Sequence, residues 1–139
     1  KRFFMTYGDG LSDVNVRNLL NFHIKNKKLA TLTAVRPPAR FGKIQLDAKN
    51  NVTLFREKSS LDEGWINGGF FVLEPKIFSL IKSDKTFFEK EPLQKLSQKG
   101  ELKAYKHRKI WQCMDTVRDK EILEKLLTKK IIKFWKKNY

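Results

Sequence analysis

The sequence predicts an α/β unit over residues 1–139, a mixed and mostly parallel sheet flanked by helices, and three observations predict it. Strand-like and helix-like segments alternate along the chain. No internal repeat, low-complexity tract or interdomain linker interrupts that alternation. An apolar strand near the front, Phe3 to Thr6, runs straight into Tyr7-Gly8-Asp9-Gly10, which sets a carboxylate between flexible residues at the carboxyl end of a sheet, where α/β proteins bind ligands.

The remaining elements follow in order. Ser12 or Asp13 is a candidate cap for a helix from about Val14 to Lys27, with Leu19, Leu20 and Ile24 on its buried side and lysines at its carboxyl end. A buried strand, Ala30 to Val35, comes next and is stopped by Pro37 and Pro38. Ile44 and Leu46 alternate with polar residues as an edge strand that turns at Asn50-Asn51 and returns through Val52 to Arg56, a hairpin. Beyond the polar loop from Lys58 to Gly64, Trp65 to Leu73 is a strongly apolar strand broken by two glycines, which permit close backbone approach. Pro75, Thr86 and Gly100 punctuate two short helices, through Ile81 and through Lys99. Strands Leu102 to His107 and Ile110 to Cys113 follow, and Val117, Ile122, Leu123, Leu126 and Leu127 then mark a helical apolar face.

Composition narrows the function classes. Hydrophobic residues make up 40% and aromatic residues 12%, enough for one core in 139 residues. No apolar run of about 18 residues and no secretory leader are visible, so a cytoplasmic protein without a membrane span is expected. A single cysteine, Cys113, and two histidines, His23 and His107, leave no cluster for structural zinc, so any metal is expected on oxygen ligands. The net charge of +15 attracts polyanions, but 23 of the 30 cations are lysines spread along the chain, so a solvated surface is favoured over a nucleic-acid partner. Lys129 to Lys137 interleaves cations with Ile131, Ile132, Phe134 and Trp135, read as a terminal helix packed on the domain or on another subunit.

A second isolated carboxylate, Asp115 in Trp111-Gln112-Cys113-Met114-Asp115-Thr116, also follows a short apolar strand. If the fold joins the two strand ends, Asp9 and Asp115 form a two-carboxylate site suited to Mg²⁺ and phosphates. Plainer readings stand beside this one. Asp9 is also an ordinary turn residue, Asp115 a helix cap, Glu57 and Lys58 a surface pair, Asn67-Gly68-Gly69 a β-bulge and Trp111 a core residue. His23, His107 and Cys113 have no neighbours in the sequence that suggest catalysis; the histidines are assigned to structure or surface and Cys113 to a small buried hydrophobe.

Tyr7-Gly8-Asp9-Gly10, Arg40-Phe41-Gly42, Phe55-Arg56-Glu57-Lys58, Trp65 to Val72, Glu91-Pro92-Leu93 and Trp111 to Thr116 occur in the order found in sugar-phosphate nucleotidyltransferases. The chain resembles that family over nearly its whole length, and within it most resembles members that join CTP to glucose 1-phosphate. The resemblance implies a partial Rossmann-like fold and Mg²⁺-dependent formation of CDP-glucose and pyrophosphate, for surface-polysaccharide deoxysugar synthesis. It implies that Asp9 and Asp115 hold the metal, that Lys58 meets the sugar phosphate and Glu57 the sugar hydroxyls, and that Asn67, Gly68, Arg40 and Gly42 line or border the sugar pocket. Other sugar 1-phosphates, or a basic polyanion-binding module, are the alternatives. The family's glycine-rich nucleotide-phosphate loop does not precede Lys1. The chain is therefore expected to correspond to the carboxyl-terminal, sugar-phosphate-binding half, weakly active or inactive by itself, and to form a homo-oligomer or pair with the other half.

Overall fold

A computed structural model of the protein describes residues 1–38, 41–57 and 64–128. Its main sheet has four strands: β1 (Phe3–Thr6), β3 (Ala30–Val35), β6 (Ile66–Leu73) and β7 (Leu102–Lys106), in the order β1-β6-β3-β7. β6 pairs antiparallel with both β1 and β3, whereas β3 and β7 are parallel. Three of the four strands therefore run one way, the mostly parallel sheet expected, with β6 inserted in the opposite sense. The carboxyl ends of β1, β3 and β7 meet the amino end of β6 at one edge.

Helices cover both faces. On one, Ala30, Phe71, Leu73, Ile77, Leu93 and Leu96 form the buried core between the sheet, a 3-10 helix (Pro75–Leu80) and α2 (Glu91–Gln98). Gly100, at φ +66°, ends α2 by sending its N–H to Ser97 O while Glu101 N–H reaches Leu96 O, so the glycine read as a stop signal works as one. Thr86 is not a helix cap; its hydroxyl accepts from Ser83 N–H in the preceding turn.

On the other face lies α1 (Val16–Asn26), with Leu19 and His23 buried. It starts later than expected because Asn15, not Ser12 or Asp13, caps it, accepting from Asn18 N–H at 2.9 Å. Gly10–Ser12 is already committed to a strand, β2, paired antiparallel with β8 (Trp111–Cys113). That pairing joins residues about a hundred positions apart, so no local pattern announces it. The hairpin of β4 (Lys43–Leu46) and β5 (Val52–Arg56) forms a separate two-stranded sheet with Asn50 at φ +64° in its turn, where asparagine is well tolerated. Its apolar residues Ile44, Leu46, Val52 and Phe55 are all exposed. α3 (Val117–Thr128) follows β8. The segment Lys129 to Lys137 lies outside the described residues. No helix among the described residues is long and apolar enough to cross a membrane.

Candidate active site

The short β2–β8 ladder closes over the amino end of β6 and leaves a cleft of about 740 Å³ at the sheet's edge. Four hydrogen bonds fix its floor. Tyr7 N–H donates to Gly69 O at 3.0 Å, and Trp111 Nε1–H donates to Gly68 O at 2.8 Å. Asn67 sends Nδ2–H to the Tyr7 hydroxyl and accepts from Gly69 N–H, each at 3.0 Å.

The two glycines are required by this approach. A Cβ on Gly68 would stand 2.8 Å from Val35 Cγ1 and 3.0 Å from Thr33 O, and Gly69, at φ +78°, would carry one 2.8 Å from the Tyr7 ring. Opposite them the β3 register shifts between Leu32 and Ala34 while β6 passes from Phe71 to Asn67. The glycine segment is thus a bulge, as the plainer reading held, and it also forms the cleft floor.

Burial pushes the Tyr7 phenol up to about 12 from its usual 10.0. A hydrogen bond to Glu89 and the negative charges of Glu89 and Asp9 act in the same direction, against the opposing hydrogen bond from Asn67. The hydroxyl stays neutral at physiological pH.

Asp9 and Asp115 both line this cleft. Met114 N–H donates to the Asp9 carbonyl at 2.8 Å, so one bond beyond the ladder sets the residue before Asp115 directly against Asp9. Both side chains are exposed to the cleft and neither has a hydrogen-bond or ion-pair partner among the described residues.

Asp119, on the same wall, is spent otherwise. It is buried, and its Oδ2 accepts from Thr116 N–H (3.1 Å) and Thr116 Oγ1–H (2.8 Å). Asp119 N–H is 3.2 Å from Thr116 Oγ1, a reciprocal cap of α3, and Gln112 Nε2–H reaches Oδ1. Thr116 and Asp119 therefore do the capping considered for Asp115, which leaves the Asp115 carboxylate for the cleft. Donor atoms of Cys113, Asp115 and Asp119 lie within 4.8 Å of one another. Asp9 is not in that group; its carboxylate and that of Asp115 are the unengaged oxygen donors of the cleft, the donor type a hard cation prefers, while the thiol is a soft donor and Asp119 is already bonded.

The profile of the nucleotidyl transferase family matches residues 1–128. The chain belongs to that family. Its relatives include the glucose-1-phosphate cytidylyltransferases of Salmonella typhi and Salmonella typhimurium, each 49% identical over 127 residues that cover 91% of this chain and 49% of the relative. The chain spans about half the length of the curated relatives it matches. Among solved structures, HddC from Yersinia pseudotuberculosis aligns over 90% of this chain and 55% of its own, with a TM-score of 0.62 and 22% identity, which shows a shared fold.

Within this nucleotidyl transferase fold the expected site residues separate into two groups. Asp9, Asn67, Gly68 and Asp115 converge on the cleft. The Asn67 amide and the Gly68 carbonyl are engaged in bracing it, so their contribution to a ligand is chiefly shape. Gly42 and Glu57 meet at the base of the β4–β5 hairpin, where a Cβ on Gly42 would lie 3.1 Å from Arg56 O and 3.8 Å from Glu57 Oε2, and neither lines the cleft. Arg40 and Lys58 lie outside the described residues.

The histidines do have carboxylate partners, which the sequence did not suggest. His23 Nδ1 is 2.9 Å from Thr31 Oγ1 and its Nε2 is 3.3 Å from Glu74 Oε1; His107 Nε2 is 2.8 Å from Asp13 Oδ1. Both are buried and away from the cleft.

Sequence reasoning missed Tyr7, Arg118 and Asp119 on the cleft wall. For Asp119 a signal existed, since the Thr116-x-x-Asp119 spacing is that of a capping box. Arg118, in the first turn of α3, faces the cleft without an acidic partner among the described residues and offers a guanidinium to an anion there.

Proposed function

We propose that the protein supplies the sugar-phosphate-binding part of a nucleotidyltransferase that joins CTP to α-D-glucose 1-phosphate, giving CDP-glucose and pyrophosphate. The observation that carries this reading is the pair of unengaged carboxylates, Asp9 and Asp115, brought to one cleft by the β2–β8 ladder. Family membership and the similarity to the Salmonella glucose-1-phosphate cytidylyltransferases support the choice of nucleotide and sugar.

In the reaction, a phosphate oxygen of the sugar phosphate forms a bond to the α-phosphorus of CTP as the bond to pyrophosphate breaks. No covalent enzyme intermediate is needed, so the protein's part is alignment and charge neutralisation. Asp9 and Asp115 would hold Mg²⁺, which when bound neutralises charge on the phosphates. Asn67 and the two glycines shape the pocket against which the sugar rests, and the neutral Tyr7 hydroxyl keeps Asn67 in place. The family resemblance assigns the sugar hydroxyls to Glu57 and the sugar phosphate to Lys58, with Arg40 and Gly42 at the pocket's border; Gly42 and Glu57 stand at the base of the hairpin outside the cleft, so for these two the assignment rests on the resemblance. The 139 residues alone turn over weakly or not at all, and a homo-oligomer or a pairing with a nucleotide-binding half completes the site. CDP-glucose made in this way serves deoxysugar synthesis for surface polysaccharides.

Titration calorimetry tests the reading. Glucose 1-phosphate is expected to bind with Mg²⁺ present, and Asp9→Asn or Asp115→Asn is expected to weaken it by about tenfold or more, the scale of one lost charge-assisted contact. Binding that ignores both Mg²⁺ and these substitutions would exclude the proposed site.

A further inference from the structure

The β2–β8 ribbon carries Asp9 and Asp115 at one end, and its other end is tied off by a knot of polar groups. There Ser12 pairs with Trp111, and one step further the Ile110 carbonyl collects three donors. Ser12 Oγ–H lies at 2.8 Å, Asp13 N–H at 3.2 Å and His107 Nε2 at 3.2 Å. The same His107 nitrogen is 2.8 Å from Asp13 Oδ1. Both of its neighbours are acceptors, so Nε2 carries the proton and divides it between them, with Asp13 the nearer. Ser12 Oγ in turn accepts from Val14 N–H at 3.2 Å.

His107 is itself fixed from outside the ribbon. Its side chain is buried, and its backbone N–H donates to Ala34 O at 2.9 Å, one step past the parallel pairing of β3 with β7. The imidazole therefore joins the main sheet to both chains of the ribbon, reaching the residue after β2 through Asp13 and the residue before β8 through Ile110.

A joint of this kind matters because the ladder is short. Three residues per strand give few bonds to favour one alignment over the next. A slip of one residue moves one strand along the other by about 3.3 Å. Carboxylate oxygens hold Mg²⁺ at about 2.0–2.1 Å, so a displacement of that size takes one of two carboxylates off a shared ion. It would also break the bond from Met114 N–H to Asp9 O, which sets the two acidic segments side by side.

We infer that His107 is a positioning residue for the carboxylate pair: it locks the register of the β2–β8 ribbon against the main sheet and so sets the separation of Asp9 and Asp115. It does not line the cleft and acts only through the ribbon. The inference rests on the reading of Asp9 and Asp115 as the metal site. His23 supplies the contrast. It too is buried and bonded to a hydroxyl and a carboxylate, those of Thr31 and Glu74, but at the end of the sheet away from the cleft.

The test follows amide hydrogen exchange and Mn²⁺ binding in variants of the 139-residue chain, with Mn²⁺ as the probe ion. His107→Ala is expected to speed exchange at Met114 N–H by about tenfold or more beyond any change in His23→Ala, since both lose a buried ring but only one loses the joint. His107→Gln keeps an N–H donor at similar reach and should restore most of the protection. Mn²⁺ affinity should fall by about tenfold in His107→Ala, the scale for groups that orient a metal ligand from behind, and should hold in His107→Gln and His23→Ala. Where His107→Ala does not fold, Asp13→Ala removes the acceptor of the same bond and should act in the same direction. Equal loosening of Met114 in the two histidine-to-alanine variants, or no recovery with glutamine, would reduce His107 to general stability and overturn the inference. Faster exchange with unchanged Mn²⁺ affinity would overturn the link to the carboxylates. An unmutated chain that binds no Mn²⁺ would instead sink the metal reading, while exchange at Met114 still decides whether His107 holds the register.

Discussion

Two short antiparallel ribbons in this molecule invite comparison. The β2–β8 ladder has three residues per strand, the β4–β5 hairpin four and five, yet the shorter ribbon is the better fixed. Long-range bonds brace it: Trp111 to Gly68, Met114 to Asp9, and Ser12 Oγ–H to Ile110 O at 2.8 Å. Among the described residues the hairpin is held by its own ladder and by Asp47, whose carboxylate accepts from Asn51 and Lys49 and is thereby kept below the usual aspartate range. Isolated two-stranded hairpins are marginal in water, and this one exposes the apolar face that would otherwise anchor it. The difference teaches that groups are positioned for chemistry by cross-bracing between distant segments, not by strand length. Asp9 and Asp115 sit on or directly beyond the braced ribbon, Gly42 and Glu57 at the base of the hairpin.

The comparison breaks first at Gly68. Gly68→Ala drives a methyl into Val35 and the Thr33 carbonyl, and is expected to cost about 3 kcal/mol in urea denaturation, the upper range of overpacking, because the backbone there cannot step aside. A loss below about 0.5 kcal/mol would show the floor to be loose. Trp111→Phe is milder. It keeps most of the ring but leaves the Gly68 carbonyl without its indole donor, an expected loss of about 1–2 kcal/mol. The same variant should weaken Mg²⁺-dependent glucose 1-phosphate binding, because β8 carries the chain into Asp115; unchanged binding would separate the brace from the site. Phe55→Ser, on the exposed hairpin face, should alter stability by no more than about 0.5 kcal/mol. A cost near that of Gly68→Ala would mean that the hairpin is packed on a partner in solution, and the contrast would fail.

Particular residues show how far the sequence reaches. The strand through Phe3 to Thr6, the strand from Ala30 to Val35 and the glycine-broken strand before Leu73 were legible because their apolar runs are local patterns bounded by glycine or proline. Gly100 was legible as a stop because a positive φ after a helix favours that residue. Asp9 stood out through its two glycines. Thr86, by contrast, is a good cap residue that lies in a turn, and Ser12 is a good cap residue drawn into a strand by a partner about a hundred positions away. Propensity names what a residue does well, and pairing decides which of those things it does.

Order and composition alone therefore determined the α/β class, the main strands, the family resemblance and Asp9 and Asp115 as candidates, since each depends on neighbours along the chain. Tertiary structure alone decided that Asp119 is consumed by a helix cap while Asp115 faces the cleft, that the Gly68 carbonyl is occupied by Trp111, and that His107 reaches Asp13 and Ile110. The physical reason is the same in each case. Whether a polar group is free or spent depends on which distant partner the fold brings within hydrogen-bonding reach, and sequence spacing carries no measure of that distance.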